Sequence, residues 1–251
     1  EHLIALELIG IKNIIIIQNK IDLVTREEAI TNYNKIKEFI KGSIAEKAPI
    51  IPVSAQHKVN IDLIIEAIEE IIQTPKRDDK KPALMLIARS FDINKPGNEI
   101  KNLVGGVIGG SLKQGILKTG QKIRLYPGTK VTEKNTIKWI PVDTVIVSIK
   151  TGGMAVQEVR PGGSMAIQTG LDPAMVKSDQ LTGNITCLPE NTLPVIENLV
   201  FEQFLLNRVV GTKEEMNVAP IKVSEPLMLN VNSATTVGIV NKVDKKNVHL
   251  K

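Results

Sequence analysis

The feature that most constrains the fold is a run of four isoleucines, Ile14 to Ile17, which the polar string Asn19-Lys20-Ile21-Asp22 follows closely. An unbroken β-branched run is typical of a strand buried on both faces of a parallel sheet. A second apolar run, Pro49 to Val53, comes about thirty residues later, after a segment with helical periodicity. Because parallel neighbours need a crossover connection, this order predicts half of a doubly wound α/β domain.

Signals at helix ends support that prediction. Thr25 and Glu28 have the spacing of a capping box at the start of a helix that we expect to end at Lys41-Gly42. Gly10 is expected to end an earlier helix. Asn60 is expected to cap a later helix that ends at Pro75.

A charged hinge, Lys76 to Pro82, precedes a region of short apolar stretches separated by Gly, Pro and Asn-Lys-Pro-Gly turns. Many short strands with glycine corners predict a closed antiparallel β-barrel. A third segment begins near Asn184 and stops without a cap or tail, so we expect a truncated second barrel. The strand candidates are Ala83 to Arg89, Val104 to Ile108, Gln121 to Leu125, Trp139 to Lys150, Met154 to Val159, Ser164 to Gln168, Leu199 to Val210 and Leu227 to Val240.

Composition narrows the class of protein. One cysteine excludes a disulfide framework and a Cys-based zinc site, which favours a reducing compartment. No apolar run approaches the roughly 18–20 residues of a membrane span, and no targeting segment is apparent, so we expect no membrane partner. Because the chain lacks an initiator Met, we expect it to be part of a longer protein.

Positive charge is concentrated in the middle of the chain. Residues 80–183 contain 15 basic and 7 acidic residues, although the whole chain has a net charge of only +5. Such a segment suits a polyanion or an acidic partner, and a solvated lysine-rich face is an equally good explanation of the charge alone.

The polar string after the first strand is the strongest functional signal, because ligands bind doubly wound sheets beyond the carboxyl ends of the strands. A carboxylate at Asp22 can accept two parallel N–H bonds, which suits N1–H and the 2-amino group of guanine and does not suit adenine. The Lys20 stem can lie over the base, and Asn19 can tie neighbouring loops. Ser54-Ala55, after the second strand, can offer a backbone N–H to guanine O6. The alternative is that Asp22 is only a turn residue or an extra helix cap before Thr25.

Phosphate-binding motifs are absent from the sequence. There is no Gly-Lys dipeptide, so there is no G-x-x-x-x-G-K-[ST] loop, and no Asp is followed three residues later by Gly. Without those elements and the Mg²⁺ ligand that they supply, phosphoryl transfer has no electrostatic stabilisation. We therefore expect this chain alone neither to hydrolyse GTP nor to bind it tightly, and whether it is part of an enzyme stays open. We assign no residue to catalysis or to a metal.

The guanine string and Ser54-Ala55-Gln56, together with Arg89 to Gly97 and Gly105 to Leu112, resemble the translational GTPases. The resemblance is closest to the gamma-subunit family of the eukaryotic and archaeal initiation factor that carries methionyl initiator tRNA. It implies an α/β plus β fold: the C-terminal half of a P-loop-type GTPase domain, followed by two β-barrels. The expected boundaries are 1–79 for the guanine-nucleotide-binding half-domain, 83–183 for the first barrel and 184–251 for the truncated second barrel.

The resemblance also implies function and partners. The intact protein is expected to use GTP or GDP with Mg²⁺, to bind initiator methionyl-tRNA when GTP is bound, and to deliver it to the small ribosomal subunit in the cytoplasm. The implied protein partners are the alpha and beta subunits of the same factor, with an assembly chaperone as a further candidate. The phosphate loop, the switches and a zinc knuckle are expected before Glu1.

Site residues on the barrel follow only from the resemblance. For tRNA they are Gly105, Gly106, Arg89 and Lys101, although a bulge or barrel corner explains the glycines equally well. For the alpha subunit they are Asp92, Asn94, Lys95 and Gly97, with a plain hairpin turn as the alternative. Two other functions stay open: another tRNA carrier, such as the selenocysteine-specific or general elongation factor, and a non-catalytic module that binds partner subunits or a chaperone.

Overall fold

The structure is a computed structural model that describes residues 2–133, 136–205 and 218–251. It divides into two compact units. One contains residues 2–76, and the other contains residues 77–205 and 219–251.

The first unit is built of helices around a two-stranded sheet. Strands β1 and β2 run parallel and pair Ile16 with Ile50 and Ile17 with Ile51, with helix α2 as their crossover. A small core of Ile51, Val53 and Ala67 lies between the sheet and α3. The α/β prediction is confirmed. The expectation that the isoleucine run is buried on both faces is wrong, because β1 lies in a two-stranded sheet and Ile17 is 47% exposed. The elements are α1 (His2–Ile9), β1 (Ile16–Gln18), a 3₁₀ turn (Ile21–Leu23), α2 (Arg26–Ile40), β2 (Ile50–Pro52) and α3 (Ile61–Ile71).

Three of the predicted helix ends are confirmed, since α2 also ends at Ile40, directly before Lys41-Gly42. The Asn60 cap is wrong in its contact, and α3 ends at Ile71, four residues before the predicted Pro75. Thr25 and Glu28 form the reciprocal capping box at the start of α2, with the Thr25 N–H donating to the Glu28 carboxylate at 2.8 Å. Gly10 follows α1 with φ of 79°. Asn60 precedes α3, but its backbone is left-handed and its side chain does not cap the helix. The Asn60 amide donates instead to the Pro52 carbonyl at 2.8 Å, because that carbonyl lies at the end of β2 within its reach.

The second unit contains a closed antiparallel barrel, as predicted. Six strands follow the order β10-β4-β3-β11-β6-β7, and β7 pairs again with β10 to close the sheet. The interior is aliphatic, and Ile87, Leu112 and Ile167 are fully buried. Each such side chain contributes about 1.5–3 kcal/mol. The elements are β3 (Leu84–Phe91), β4 (Val107–Gln114), β5 (Leu117–Lys118), β6 (Lys122–Glu133), β7 (Thr136–Thr151), β8 (Met154–Val156), β9 (Glu158–Val159), β10 (Met165–Thr169), α4 (Pro173–Val176) and β11 (Ile185–Cys187), with 3₁₀ turns at Ile100–Asn102 and Lys177–Asp179.

Strand β11 was not predicted, and it bears on the boundary between the barrels. It lies between β3 and β6 and pairs with both, so the sheet of the first barrel continues beyond the boundary expected at residue 183. Its three residues are too few to show a period-2 pattern, and its place in the barrel depends on partners about 60 and 100 residues away in the sequence.

The remaining strands form a four-stranded antiparallel sheet in the order β12-β15-β14-β13. The predicted strand Leu227 to Val240 is two strands joined by a turn, in which Asn232 has φ of 55°. The candidate Leu199 to Val210 is a strand only to Glu202, and its part from residue 206 on lies outside the described residues. Within the described part of the chain, no helix is long and apolar enough to cross a membrane. The strands are β12 (Leu199–Glu202), β13 (Pro226–Val231), β14 (Ala234–Val243) and β15 (Asn247–Leu250).

Candidate functional site

The loops that follow β1 and β2 lie side by side, as expected at the carboxyl edge of parallel strands. Asn19 joins them: its side-chain oxygen accepts the N–H of Lys20 at 2.8 Å and the N–H of Ala55 at 3.1 Å. Lys20 has φ of 67°, a left-handed conformation that few non-glycine residues adopt. Residues with an uncommon backbone conformation of this kind cluster at ligand-binding sites.

Asp22 occupies the 3₁₀ turn after Lys20, and its side chain retains 21% of its exposure. A hydrogen bond with the buried Ser54 side chain is the main cause that lowers the pKa of the Asp22 carboxyl below its usual value. The His57 imidazole, 3.8 Å from the carboxylate, lowers this pKa to a smaller extent. Asp22 is therefore an ionised, accessible acceptor.

Backbone hydrogen bonds hold this carboxylate beside the second loop. The Val53 N–H donates to the Gln18 carbonyl at 2.8 Å, and the Ile21 N–H donates to the Val53 carbonyl at 3.2 Å. The end of β2 thus binds the residues on both sides of Asn19-Lys20. Asp22 and Ser54 meet because this ladder continues one step beyond the strands.

The structure brings all five predicted guanine-loop residues together: Asn19, Lys20, Asp22, Ser54 and Ala55. One detail differs from the expectation for guanine O6. The Ala55 N–H donates to the Asn19 side chain, so in this conformation this backbone donor is already paired. The Asp22 carboxylate is thus a charged, accessible hydrogen-bond acceptor. A base edge that carries two adjacent N–H groups requires an acceptor of this kind.

The two barrel glycines predicted for tRNA lie in close internal contacts. A Cβ at Gly105 would overlap the Thr169 carbonyl, and a Cβ at Gly106 would overlap the Val176 side chain. The backbone of Gly106 also accepts the Thr169 N–H at 2.9 Å. Packing against β10 and α4 is by itself a sufficient reason for both glycines.

The two cations predicted for tRNA are both ion-paired. Arg89 Nε donates to the Asp179 carboxylate at 2.9 Å, and the Ser90 N–H donates to the same carboxylate at 2.9 Å. These contacts lower the pKa of the Asp179 carboxyl, with Arg89 the larger cause. Lys101 pairs with Glu99 at 2.8 Å. Both cationic side chains are largely exposed.

The loop predicted to contact the alpha subunit is held by Asn94. The Asn94 amide donates to Asp92 at 2.7 Å and to the Val104 carbonyl at 2.8 Å, while its oxygen accepts the Val104 N–H at 2.9 Å. The Asn94 side chain thus pairs with the backbone of Val104 in the way that a neighbouring β-strand would. Lys95 and Gly97 lie at its exposed tip, where Gly97 has φ of 87°.

Sequence reasoning missed Gln18 and Asp179. Gln18 is 8% exposed and lies directly before the guanine string, and a polar residue at the end of an apolar run was the only signal for it. Asp179 lies 89 residues from the backbone N–H that it accepts, and no local pattern marks it.

Comparisons with known proteins add family evidence. A family model described as "Initiation factor eIF2 gamma, C terminal" matches residues 197–251. The chain is 53% identical over 251 residues to translation initiation factor 2 subunit gamma of Pyrococcus furiosus, covering 100% of this chain and 61% of that protein. It is 52% identical over 240 residues to the same subunit of Methanocaldococcus jannaschii, covering 96% of this chain and 58% of that protein. The chain thus spans about 60% of the length of these relatives.

Solved structures support the fold. A bacterial selenocysteine-specific elongation factor, EF-Sec, superimposes with a TM-score of 0.73 at 20% identity, over 100% of this chain and 37% of that one. Elongation factor SelB from Methanococcus maripaludis, in its apo form, gives a TM-score of 0.71 at 17% identity, over 100% of this chain and 51% of that one. The chain therefore has the fold of the corresponding part of these elongation factors.

Proposed function

The chain is homologous over its whole length to the gamma subunits of archaeal translation initiation factor 2, and from that premise we propose that it recognises the guanine base of GTP and forms part of a tRNA-binding surface. In the intact protein, GTP then favours binding of initiator methionyl-tRNA and its delivery to the small ribosomal subunit in the cytoplasm. The observation that carries this proposal is the juxtaposition of the ionised Asp22 carboxylate with the Asn19–Ala55 link.

We propose that successive parts of the chain have different roles. Residues 1–79 supply the base-recognition half of a guanine-nucleotide domain, and the barrel that begins at residue 83 supplies the tRNA surface. The second barrel begins after β11 and includes the matched segment 197–251. Under this proposal, residues outside this chain hold the phosphates and Mg²⁺ of GTP or GDP, so this chain alone has no hydrolytic activity.

The proposed partners bind the barrel. The proposed tRNA surface includes Gly105, Gly106, Arg89 and Lys101. To bind tRNA, Arg89 and Lys101 have to exchange their carboxylate partners for phosphates. This exchange costs little free energy, because an exposed ion pair contributes little to stability. The alpha subunit binds the loop containing Asp92, Asn94, Lys95 and Gly97, which the Asn94 contacts preorganise. The beta subunit docks elsewhere in the intact protein. No relative described above points to a chaperone.

The test is retention of methionylated initiator tRNA by the full-length gene product that contains this chain, with GTP, with GDP and without nucleotide. We expect binding to be roughly tenfold or more tighter with GTP than with GDP, which is within the usual range of allosteric coupling. Elongator tRNA under the same conditions is the control. Preference for an elongator tRNA would support the elongation-factor alternative. Partner-subunit binding without any tRNA binding would support the interaction module.

A further inference from the structure

Gln18 connects the end of β1 to helix α2 through its side chain. Gln18 Nε2 donates to the Ala29 carbonyl at 2.8 Å and to Asn32 Oδ1 at 2.9 Å. The Ala29 carbonyl can only accept, which fixes which end of the Gln18 amide faces the helix. Both N–H groups of this amide are therefore used, and Gln18 as a whole residue is 8% exposed. We call this pair of contacts the Gln18 clamp.

The loop between the clamp and α2 has little apolar packing of its own. A cavity of about 340 Å³ lies between this loop and the first turns of α2, with Gln18 and Asn32 in its wall; the loop residues that line it are Asn19, Lys20, Ile21, Leu23 and Val24. Leu23 is 73% exposed and Val24 is 47% exposed, so neither anchors the loop in a core. The Asn19–Ala55 and Ile21–Val53 hydrogen bonds tie this loop to the end of β2, and the clamp adds polar contacts between the start of the loop and α2.

The clamp acts on both ends of that loop at once. Gln18 is the last residue of β1, and its side chain is hydrogen-bonded to Ala29 in α2. Ala29 lies one turn after Thr25, the residue that caps the start of α2. The Gln18 side chain therefore fixes the distance between the end of β1 and the first turn of α2, and residues 19–24 connect these two elements. Asp22 lies within this span, and Lys20, in its left-handed conformation, is two residues before it.

We propose that Gln18 is a positioning residue for base recognition, with Asn32 as its partner: the clamp holds the Asp22 carboxylate at the angle from which it accepts both N1–H and the 2-amino group of guanine. The inference rests on the proposed function. It adds a specificity determinant outside the Asn-Lys-x-Asp string, through contacts with α2 rather than with Ser54 and Ala55. Two hydrogen bonds to one carboxylate are sensitive to angle, whereas a single one tolerates rotation.

The test compares two nucleotides that differ only at the group Asp22 selects. GMP carries the 2-amino group and IMP lacks it, while their phosphates are the same, so the ratio of their dissociation constants isolates the second hydrogen bond. Both are titrated by NMR into the full-length gene product that contains this chain. We expect the wild-type chain to bind GMP roughly tenfold more tightly than IMP, as a charge-assisted hydrogen bond provides.

The variants separate positioning from simple stability. Gln18→Met keeps the length of the side chain and removes both donors, and Asn32→Leu removes one acceptor, whereas Asn32→Asp keeps an oxygen there. We expect the GMP/IMP ratio to fall at least threefold in Gln18→Met and Asn32→Leu and to stay near the wild-type value in Asn32→Asp. The exposed Gln73→Met is the matched control. If Gln18→Met does not fold, as a thermal melt would show, Asn32→Leu decides.

Hydrogen exchange of the Ile21 amide gives a readout that needs no ligand, because this N–H donates to Val53 only while the loop is in place. We expect faster exchange in Gln18→Met. Equal weakening of GMP and IMP, or no change in either the ratio or the exchange, overturns the positioning role. A wild-type chain that does not distinguish GMP from IMP instead contradicts the proposed function, and the Ile21 exchange rate then decides whether the clamp positions the loop.

Discussion

The backbone N–H of Ala55 donates to the side-chain oxygen of Asn19 at 3.1 Å, although 36 residues separate the two in the sequence. This contact links the loop after β1 to the loop after β2. It exists because α2 returns the chain to the same edge of the sheet. The shape of the candidate base site therefore depends on one amide side chain as much as on the sheet.

Replacing that amide should loosen the site without unfolding the unit. In Asn19→Ala, the N–H groups of Lys20 and Ala55 lose their acceptor, and the left-handed Lys20 conformation loses its support. We expect GMP affinity, measured by NMR titration, to fall about tenfold, which corresponds to a loss of about 1.4 kcal/mol. Asn34→Ala, an exposed asparagine on α2, is the control and should bind GMP as the wild type does. Equal affinities for Asn19→Ala and the control would show that the link is dispensable.

The glycine at position 106 should be required by packing. Because its Cβ would overlap Val176, Gly106→Ala should destabilise the barrel by about 1–3 kcal/mol, measured by urea unfolding. Adding Val176→Ala should recover part of that loss. Gly170→Ala is the control, because its Cβ would meet Val145 at 3.5 Å, an ordinary contact. If Gly106→Ala is as stable as the wild type and binds tRNA less well in the full-length protein, a direct ligand role explains this glycine better.

Asn94 should order its loop without stabilising the barrel. Asn94→Ala removes both contacts with the Val104 backbone, so amide exchange at Val104 should become roughly tenfold faster or more. The midpoint of thermal unfolding should stay the same, because the loop lies outside the aliphatic interior of the barrel. The neighbouring Asn98→Ala is the comparison variant. Unchanged exchange at Val104 would contradict the ordering role.

The Asp179 carboxylate should make barrel stability depend on acid pH. Its pKa is lowered by Arg89 first and by the Ser90 N–H second, so its ionised form is favoured in the folded state. The stabilisation is present above the unfolded pKa of about 3.9 and is lost as pH falls through the lower folded value. The difference in unfolding free energy between wild type and Asp179→Asn should therefore shrink below about pH 4. Arg89→Met should reduce the same pH dependence; a difference that is independent of pH would contradict this account.

Local signals explain what could be predicted from the sequence. The Thr25–Glu28 box acts within a few residues and appears as expected. The isoleucine run does mark a strand, but β1 includes only Ile16 and Ile17 of it, and Ile17 is 47% exposed, so the expected burial on both faces is wrong. The closed barrel was also predictable, because glycine corners and short apolar stretches recur along the chain. The guanine-loop residues could be listed for the same reason, since each lies within four residues of the end of β1 or β2.

Long-range contacts explain what could not be predicted. Strand β11 owes its place to partners on β3 and β6, and Asp179 owes its role to Ser90 on β3. The turn at Asn232 divides one apolar stretch into two strands; asparagine adopts the left-handed φ of 55° readily, so Asn232-Ser233 was a local turn signal that the prediction of one strand overlooked. The Gln18 clamp depends on the placement of α2, which only the folded chain reveals.

The most direct test of the account is the base preference of Asp22→Asn. Its amide can donate to the 2-oxo group of xanthine but cannot accept two N–H bonds from guanine, so the preference should change from GMP to XMP. NMR titration of this chain should show GMP affinity reduced about tenfold to a hundredfold, as the loss of charge-assisted hydrogen bonds predicts, with XMP affinity increased. Asp62→Asn on α3 should keep the wild-type preference. A variant at position 22 that still prefers GMP over XMP as strongly as the wild type would contradict the central claim.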